Sequence, residues 1–335
     1  MKILVTGAAG FIGFHLIKRI LADSHDVVGI DNLNDYYDPS LKIARLKELG
    51  INAEQMSMGS WSSNEEKTFT FIRNDIDDHK TFDVLKGIKF DAICHLAAQA
   101  GVRYSIENPQ QYISTNIQGF FNMLEFCRYN PTEHLVFASS SSIYGKNSSV
   151  PYRESDKTDS PMSLYAATKK SNELLAYSYS SLYGIRATGL RFFTVYGPWG
   201  RPDMAPFLFT SAVIEGKPIN VFNNGKLSRD FTYVDDIAEG TYRVLISERK
   251  PNDNVFHIYN IGNSTPVNLG DFIATIERLT KTVAHKNMLP MQPGDVETTW
   301  ADVSLLRHDF GYAPHTSLDT GLKAFVDWYK KFYKK

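Results

Sequence analysis

The chain begins with an apolar stretch that leads directly into three evenly spaced glycines: residues 2–13 are KILVTGAAGFIG. Gly7, Gly10 and Gly13 are followed by a second apolar stretch. Glycine permits a tight turn in which one backbone segment lies close to another. This order indicates a strand that turns directly into a helix packed against it. The junction restricts the possible folds more than any other segment of the chain.

The same order of strand and helix recurs through the first two-thirds of the chain. The predicted strands are Lys2–Thr6, Val27–Ile30, Thr70–Arg73, Ala92–Leu96, Leu135–Ala138 and Ala187–Phe192. The predicted helices lie around Ile12–Ala22, Gln110–Tyr129 and Leu164–Tyr183. Residues 34–64 interrupt the alternation and indicate an elaborated loop with one short helix. The alternation predicts an α/β fold with a doubly wound parallel sheet that helices cover on both faces.

After about Thr194 the composition changes. Residues 196–207, YGPWGRPDMAPF, are rich in glycine and proline, which predicts irregular chain. Beyond them we expect short strands, helices near Val234–Ser247 and Leu269–Thr280, and a C-terminal amphipathic helix. We therefore expect two domains: residues 1–193, to which a segment near 232–262 returns, and a smaller α/β C-terminal lobe of residues 194–335.

Composition and charge limit the class of protein. The formal net charge of −1 argues against a general nucleic-acid binder, because phosphate binding needs a basic surface. No run of about 18 apolar residues is present to cross a bilayer, and the N-terminus is predicted to be a strand rather than a signal peptide. Cys94 and Cys127 lie in apolar segments, where buried reduced thiols are expected. We expect a soluble, cytoplasmic protein without a metal site.

The glycine turn fits the pyrophosphate of a dinucleotide. Phosphate oxygens bind at the positive end of a helix where glycines let the backbone approach them. The spacing is G-x-x-G-x-x-G rather than G-x-G-x-x-G. Asp31 ends the second strand, where a carboxylate accepts a hydrogen bond from a ribose 2′-hydroxyl and repels a 2′-phosphate. Because no arginine follows directly, we predict NAD rather than NADP; the alternative is an aspartate that only caps a turn.

Two further strand ends are candidates for cofactor contacts. Asp75 and Ile76 follow the third strand and are placed to flank the adenine, although an aspartate that caps the loop fits as well. Residues 96–98 are Leu-Ala-Ala and follow the fourth strand, where small residues suit backbone that passes close to a cofactor. His95, which precedes them, is expected to be structural.

Tyr165 and Lys169 lie four residues apart on a predicted helix, so both side chains point to the same face. A tyrosine with an ordinary pKa of about 10 is a poor base at neutral pH. A neighbouring ammonium favours the phenolate and lowers that pKa. The phenolate then takes a proton from a substrate hydroxyl while hydride passes to NAD. The alternative is a chance Y-x-x-x-K on a surface helix.

At this point the chain resembles the extended short-chain dehydrogenase/reductase family, specifically its nucleotide-sugar epimerases and dehydratases. The motifs that carry the resemblance occur in the family's order: TGAAGFIG, HLAA, SSSSIYG, YAATK, LRFFTVYGP, RDFTYVDDI and GDVETTWAD. The resemblance implies a Rossmann-type NAD-binding domain followed by a nucleotide-sugar lobe. The NAD contacts expected on this basis are Gly7, Gly10, Phe11, Ile12, Gly13, Asp31, Asn32, Asp75, Ile76, Leu96, Ala97, Ala98, Asn116, Tyr165 and Lys169.

Within the family, two longer motifs resemble those of the UDP-glucuronate 4-epimerases: DNLNDYYDPSLKIARL and FFTVYGPWGRPDMAPF. The resemblance implies transient oxidation at C4, turnover of the 4-keto sugar, and reduction from the other face, which forms UDP-galacturonate for polysaccharide biosynthesis. A ketone β to the C6 carboxylate favours loss of CO₂, so the site must hold the carboxylate out of alignment with the carbonyl. Neutral hydroxyl donors suit this task.

Two positions separate this expectation from related reactions. Thr194 stands where UDP-galactose 4-epimerases carry Asn, and Ser142 stands where the decarboxylating UDP-xylose synthases carry Glu. Epimerisation of UDP-glucose and decarboxylation of UDP-glucuronate remain the enzymatic alternatives. A non-catalytic NAD(H)-sensing regulator on the same fold is the third, and such a protein is expected to lose Tyr165 or Lys169.

A run of four serines, residues 139–142, follows the fifth strand. Such a run is ordinarily a flexible linker. By resemblance, Ser140 bonds the substrate O4 and relays to Tyr165, while Ser141 and Ser142 face the carboxylate. A one-residue slip would exchange these roles, and a turn or helix cap made by the serine hydroxyls is the structural alternative.

The resemblance also implies contacts to UDP. Arg229 corresponds to the family's pyrophosphate arginine, Phe222 is placed to stack on uracil, and Arg103 to approach the sugar. The predicted substrate set is completed by Arg201 and Phe207, which line the nucleotide side, and by Gln292 and Asp295 of the MQPGD motif. Surface arginines and core aromatics are the alternatives. We further expect a homodimer, because segments 110–129 and 164–183 carry more apolar surface than one sheet face needs.

Overall fold

The apolar residues of the first strand belong to the centre of an eight-stranded sheet in the computed structural model, which describes residues 1–147, 149–249, 254–291 and 296–335. The strands, in chain order, are β1 (Lys2–Thr6), β2 (Asp26–Asp31), β3 (Trp61–Ser63), β4 (Phe69–Arg73), β5 (Ala92–His95), β6 (His134–Ser140), β7 (Ala187–Phe192), β8 (Thr194–Tyr196), β9 (Ile219–Val221), β10 (Ser228–Tyr233), β11 (Phe256–Ile261), β12 (Pro266–Asn268) and β13 (Lys286–Met288).

The large sheet has the strand order β11-β7-β6-β5-β1-β2-β4-β3. β1 pairs in parallel with β2 on one side and with β5 on the other, and β2–β4 and β5–β6 are also parallel. The chain therefore winds outward in both directions from β1, and the predicted doubly wound parallel sheet is confirmed. The short edge strand β3 pairs antiparallel with β4 and was not predicted.

The helices, in chain order, are α1 (Phe11–Ala22), α2 (Pro39–Glu48), α3 (Tyr104–Glu107), α4 (Pro109–Tyr112), α5 (Gly119–Tyr129), α6 (Leu164–Tyr183), α7 (Ala205–Ile214), α8 (Val234–Leu245), α9 (Leu269–Thr280), α10 (Ser304–Phe310) and α11 (Leu318–Tyr333). Capping residues at the helix ends explain where the helices begin and end. The Ser163 hydroxyl accepts a hydrogen bond from Ala166 N at the start of α6, and Gly184 ends that helix in the left-handed conformation.

The predicted helix over 110–129 is interrupted. A π-helical stretch, Ile113–Gln118, separates α4 from α5. At the start of α5, a Cβ on Gly119 would lie 2.7 Å from the Ile76 side chain, so the absence of a side chain lets this helix approach the loop after β4. Such π-helical stretches occur often at functional sites.

Both faces of the large sheet are buried. Leu4, Ile30 and Ile93 pack on the face that α5 and α6 cover. Their neighbours Ile3 and Val5, which point to the opposite face, are also fully buried. This continuous burial explains why the strands are nearly uniformly apolar rather than alternating.

The chain divides into two units. Unit 1 comprises Met1–Gly145, Lys157–Arg191 and Ala238–Tyr259, and unit 2 comprises Lys146–Asp156, Phe192–Ile237 and Asn260–Lys335. Residues 146–156 belong to unit 2 because Tyr152 exchanges backbone hydrogen bonds with Trp300 and Asp302. The sequence-based boundary placed this segment in the first domain.

Unit 2 has its own core. β8, β10 and β12 form one small sheet, and β9 pairs with β13 in another. Phe231 stacks on Phe272 of α9 at a centroid distance of 4.3 Å, within a cluster that includes Tyr196 and Leu322. Among the described residues of either unit, no helix combines the length and hydrophobicity needed to cross a membrane.

Candidate active site

The glycine turn leaves no room for side chains. Gly7 has φ +72°, and a Cβ there would lie 2.8 Å from the backbone nitrogen of Ala97. A Cβ on Gly13 would overlap the carbonyl oxygen of Gly7. Gly10 caps α1 without a capping side chain, so the first N–H groups of the helix, at Phe11 and Ile12, have no partner within the helix. The turn therefore fits an anionic diphosphate.

Asp31 lies at the end of β2, buried beside this turn. One carboxylate oxygen accepts a hydrogen bond from Ala9 N at 3.2 Å, and the other accepts one from Leu33 N at 2.9 Å. Each oxygen has a second acceptor site, so the carboxylate retains capacity for a ribose hydroxyl. The capping alternative and the cofactor role are therefore compatible in one side chain.

Two buried cations lie next to Asp31. The ammonium of Lys42 is 3.8 Å from the Asp31 carboxylate and donates to the Asn34 side chain at 2.6 Å. The guanidinium of Arg45 is fully buried and donates to the carbonyl oxygen of Ala9 at 2.8 Å. The sequence pattern does not predict that either residue belongs to the site. The one feature that points to them is their spacing of three residues on α2, the helix that follows Asp31.

The loop after β4 brings together the predicted adenine contacts. Asn32 donates to the Asp75 carboxylate at 2.8 Å. Burial and the neighbouring Asp77 raise the pKa of Asp75, which the bond from Asn32 opposes. Ile76 is buried, and its carbonyl oxygen accepts from Asn122 at 2.9 Å. This loop is thus fastened to both β2 and α5.

Thr6, at the end of β1, organises the chain after β5. Its hydroxyl is 3.0 Å from Nδ1 of His95 and accepts from Ala97 N at 3.2 Å, and its carbonyl accepts from Leu96 N. Burial, with a smaller contribution from Lys169, lowers the pKa of His95 to about 3. His95 is therefore a neutral structural residue, as expected, and Ala98 continues the segment beside the glycine turn.

Asn116 lies in the π-helical stretch and is buried. Its side-chain oxygen accepts from Gln99 N at 2.8 Å, and its amide donates to Gln99 O and to the Thr168 hydroxyl, both at 3.0 Å. The Thr168 hydroxyl in turn donates to Tyr165 O at 2.8 Å. Asn116 thereby ties the segment after β5 to the helix that carries Tyr165.

Tyr165 and Lys169 both lie on α6, one turn apart. The half-buried ring of Tyr165 meets the edge of Tyr112 at a centroid distance of 6.1 Å. Lys169 is buried, and its ammonium donates to the carbonyl oxygen of Ala138 at 2.8 Å. Burial lowers the pKa of Lys169 to about 8. The lysine is still largely an ammonium at neutral pH, as the proposed phenolate requires.

The four serines end β6 and begin a 3₁₀ turn; residues 139–144 are called the serine turn below. The Ser140 hydroxyl accepts from Ser142 N at 3.2 Å and from the Ser142 hydroxyl at 2.9 Å. The turn-capping alternative therefore holds for Ser140 as well. The hydroxyls of Ser140 and Ser142 therefore lie in contact, and Ser141 starts the 3₁₀ turn beside them.

Ser139 points the other way. Its hydroxyl donates to the buried carboxylate of Glu173 at 2.6 Å, and Arg191 pairs with the same carboxylate at 2.9 and 3.0 Å. Arg191 also donates to the hydroxyl of Tyr144 at 2.9 Å. Glu173 and Arg191 are not among the predicted site residues. The one sequence feature that points to Glu173 as part of the site is its position four residues after Lys169, on the same face of α6.

Arg103 lies at the start of α3 with an exposed side chain in unit 1. The other predicted sugar and UDP contacts belong to unit 2. Thr194 opens β8 and pairs in register with Phe231 of β10. Arg229 lies on β10 and donates to the carbonyl oxygens of Ser228 at 2.9 Å and Glu297 at 3.1 Å. Next to it, Asp230 is fully buried.

The remaining predicted contacts of unit 2 lie in different surroundings. Arg201 pairs with the carboxylate of Asp203 at 3.0 Å. Phe207 is buried in an aromatic cluster with Phe325 and Tyr329 of α11, which is the core alternative stated above. Phe222 is half-buried against the unit 2 core. Gln292 and Asp295 lie outside the described residues.

Neither unit contains a candidate metal centre within the described ranges, because no group of three or more His, Cys, Asp or Glu side chains is placed to hold an ion. Cys94 and Cys127 are buried and unpaired with each other. Burial raises the pKa of the Cys127 thiol to about 12. Both cysteines are inert core residues, as their sequence context predicts.

Comparisons with known proteins agree with this geometry. Protein CapI of Staphylococcus aureus is 47% identical, over the whole of both chains. UDP-glucuronate 4-epimerase 4 of Arabidopsis thaliana is 46% identical over 99% of this chain and 76% of its own length. The crystal structure of UDP-glucuronic acid 4-epimerase from Bacillus cereus, in complex with UDP-glucuronic acid and NAD, matches with a TM-score of 0.87 and 36% identity, covering 99% of this chain and 100% of that one. A family model matches residues 3–262, and the chain belongs to the NAD dependent epimerase/dehydratase family.

Proposed function

We propose that the protein is an NAD-dependent UDP-glucuronate 4-epimerase that interconverts UDP-glucuronate and UDP-galacturonate. The observation that carries the proposal is the bond from Lys169 to Ala138. It fastens the helix of the proposed base, Tyr165, to the strand that ends in an uncharged serine turn. Relatives named UDP-glucuronate 4-epimerases, 45–46% identical over 99–100% of the chain, support the choice of substrate.

The proposed cofactor site is the glycine turn with Asp31. When bound, NAD would supply the hydride acceptor for oxidation at the sugar C4 and the hydride donor for reduction at the opposite face. The turn holds the pyrophosphate at the N-terminus of α1, and Asp31 accepts from the adenosine ribose. Asn32, Asp75 and Ile76 flank the adenine. Leu96, Ala97 and Ala98 supply backbone beside the cofactor, with Asn116 holding that segment in place.

In the proposed reaction, Tyr165 removes the proton from the C4 hydroxyl and later returns it to the epimeric hydroxyl. Lys169 keeps the phenolate form accessible through its positive charge. Ser140 donates to O4 and relays the proton, while Ser141 and Ser142 hold the carboxylate. Because hydroxyls are neutral, they hold the carboxylate in a bound position but release it more readily than an arginine would, so the 4-keto sugar can rotate between the two hydride transfers.

Unit 2 is proposed to bind UDP. Arg229 supplies the charge-assisted bonds that a diphosphate needs, and Phe222 stacks on the uracil. Thr194 is proposed to contact the sugar carboxylate as a neutral donor. Arg103 of unit 1 is proposed to approach the sugar. We further propose a cytoplasmic homodimer that supplies a sugar donor for polysaccharide biosynthesis.

The proposal is tested by incubating the protein with UDP-glucuronate and following the sugar resonances by NMR. The expected result is a stable mixture of UDP-glucuronate and UDP-galacturonate. Accumulation of a UDP-pentose would instead identify a decarboxylase. Conversion of UDP-glucose in preference to UDP-glucuronate would identify a neutral-sugar epimerase. Absence of any conversion, with NAD bound, would favour a regulatory protein.

A further inference from the structure

We propose that the buried Glu173–Arg191 ion pair positions the serine turn, and that this positioning is what prevents the oxidised sugar from losing its carboxylate. The inference rests on the proposed function, since it concerns the 4-keto intermediate of that reaction. Neither residue touches the substrate in this proposal. Both are positioning residues that act through the serine turn.

The first support is that one ion pair holds both ends of the serine turn. At the start of the turn, the Ser139 hydroxyl donates to Oε1 of Glu173 at 2.6 Å. At its end, the Tyr144 hydroxyl accepts from Arg191 at 2.9 Å. The Arg191 guanidinium also lies over the Tyr144 ring, 5.0 Å from its centroid. The two hydroxyls of Ser140 and Ser142 lie between these two anchors.

The second support is the geometry of the pair itself. Arg191 binds both oxygens of the Glu173 carboxylate through Nε and Nη2, at 2.9 and 3.0 Å. Both side chains are only 4% exposed. Burial opposes the charge on Arg191, yet its bonds to Glu173 raise its pKa above the ordinary range. A bidentate pair with fixed directions orients its neighbours far better than a solvated pair does.

The third support is the position of Glu173 on α6. Tyr165, Lys169 and Glu173 follow one another at intervals of four and therefore share one face of the helix. Lys169 binds Ala138, and Glu173 binds the adjacent Ser139. The helix of the proposed base and the serine turn are thus locked in register by two consecutive residues of one strand.

The chemical consequence concerns a single bond. In the 4-keto sugar, the C5–C6 bond breaks when it aligns with the carbonyl π-system. CO₂ then leaves, the electron pair passes into the C4 carbonyl as an enolate, and a proton adds at C5. Hydroxyls held in a fixed position keep the carboxylate out of this alignment. A displacement of about 1 Å can change the rate of a positioned reaction by about a hundredfold.

The test uses two mild substitutions in the full-length protein. Tyr144→Phe removes only the hydroxyl that Arg191 binds, and Ser139→Ala removes only the hydroxyl that binds Glu173. The matched control is Thr188→Val on β7, which removes a buried hydroxyl bonded to His134 at 2.8 Å, outside the site. Melting temperature and the amount of NAD that remains bound are measured for all variants, so that unfolding and cofactor loss are recognised.

The readout is the ratio of decarboxylated product to UDP-galacturonate formed from UDP-glucuronate, measured by NMR. The decarboxylated product is the UDP-4-keto-pentose together with the UDP-pentose that return of the hydride to C4 forms from it. We expect Tyr144→Phe and Ser139→Ala to raise this ratio by about tenfold or more, and Thr188→Val to leave it at the wild-type value. If both site variants give the wild-type ratio and still hold NAD, the inference is wrong, whereas the proposed epimerase function is unaffected. A wild-type protein that does not epimerise UDP-glucuronate would instead overturn the proposed function.

Discussion

The ammonium of Lys169 donates a hydrogen bond to the carbonyl oxygen of Ala138 at 2.8 Å, from a position that is only 2% exposed. A buried ammonium is costly unless it is satisfied. The bond therefore fixes the lysine head group directly beneath the strand that leads into the serine turn. It also places the charge on the face of α6 from which Tyr165 projects.

Replacing Tyr165 with Phe is expected to lower kcat for UDP-glucuronate by about a hundredfold to ten-thousandfold, the range that general acid–base groups contribute. Bound NAD should remain, because the ring is unchanged. Tyr179→Phe on the same helix, which removes a hydroxyl bonded to Glu125 at 2.6 Å, is the control and should retain activity. Activity of Tyr165→Phe within a few-fold of wild type would show that another group is the base.

Replacing Lys169 with Met is expected to stabilise the fold while reducing activity. Burial lowers the pKa of Lys169 from 10.5 to about 8, which corresponds to about 3 kcal/mol. Because the charged form is favoured in the unfolded chain, wild type bears this cost below pH 8 and loses it as the pH rises towards 10.5. We expect the free energy of unfolding to increase by about 1–3 kcal/mol at pH 7, with a gap that closes at higher pH.

The measurement is denaturant unfolding of wild type and Lys169→Met across this pH range. If the difference in free energy of unfolding between the two proteins widens between pH 8 and 10, the lowered pKa of Lys169 is contradicted. When kcat is plotted against pH, the activity of the variant should begin to rise at a higher pH than that of wild type. The reason is that the phenolate of Tyr165 loses the neighbouring positive charge that lowers its pKa.

Replacing Asp31 with Asn is expected to relax the preference for NAD. The carboxylate that repels a 2′-phosphate is removed, whereas Lys42, 3.8 Å from it, remains to attract one. The ratio of NADP to NAD affinity should rise by about tenfold, measured by calorimetric titration. Adding Lys42→Met to this variant should reverse the gain. If the ratio stays unchanged in the single variant, Asp31 does not set the selectivity.

Replacing Arg229 with Met is expected to raise KM for UDP-glucuronate by about tenfold to a hundredfold, because a charged hydrogen bond to the diphosphate is lost. kcat should change little, since the same contact exists in the ground state and the transition state. Arg229→Lys should recover only part of the loss, because an ammonium lacks the planar fork. Arg243→Met, which breaks a surface ion pair with Glu239, is the control. If it raises KM as much as Arg229→Met does, Arg229 is not the residue that binds the diphosphate.

Replacing Leu174 with Glu is expected to convert the proposed homodimer into a monomer. Leu174 and Tyr177 on α6 are 59% and 58% exposed, and Phe121 on α5 is 39% exposed. Size-exclusion chromatography with light scattering measures the change. Val283→Glu, at a residue 79% exposed in unit 2, is the control and should leave the mass unchanged. A wild-type protein that remains monomeric at high concentration would contradict the proposal.

Several site features could be predicted from the sequence because they depend on short-range spacing. The glycines of the turn after β1 and the pair Tyr165–Lys169 each lie within one local segment, where backbone geometry alone decides which atoms meet. The strands β1 and β7 and the helices α6 and α9 were predicted with the bounds that the structure has. The hydrophobic periodicity of these segments, together with the residues that mark their ends, was enough to predict them.

Other features depend on residues far apart in the chain. The Thr6 hydroxyl reaches His95, 89 positions away, and Asn116 reaches Thr168 across 52 positions. The continuous helix expected over 110–129 contains a π-helical stretch in which Asn116 bonds the backbone of Gln99, a contact that no local propensity encodes. Phe207, assigned to the nucleotide side by resemblance, also contacts Phe325 of α11, a contact that its sequence position does not predict. Contacts of this kind follow from the fold, not from the spacing.

The serine run illustrates the division most clearly. The residue pattern alone predicts that a strand ends there in a turn with neutral hydroxyls, because an apolar run meets polar residues closed by Tyr144 and Gly145. The packing of distant elements sets the contacts of each serine: Ser139 bonds the buried carboxylate of Glu173, while Ser140 and Ser142 share a hydrogen bond. Successive residues of a strand point to opposite faces, so Ser139 reaches the carboxylate of Glu173, which Arg191 also binds, while the Ser140 hydroxyl on the other face bonds Ser142.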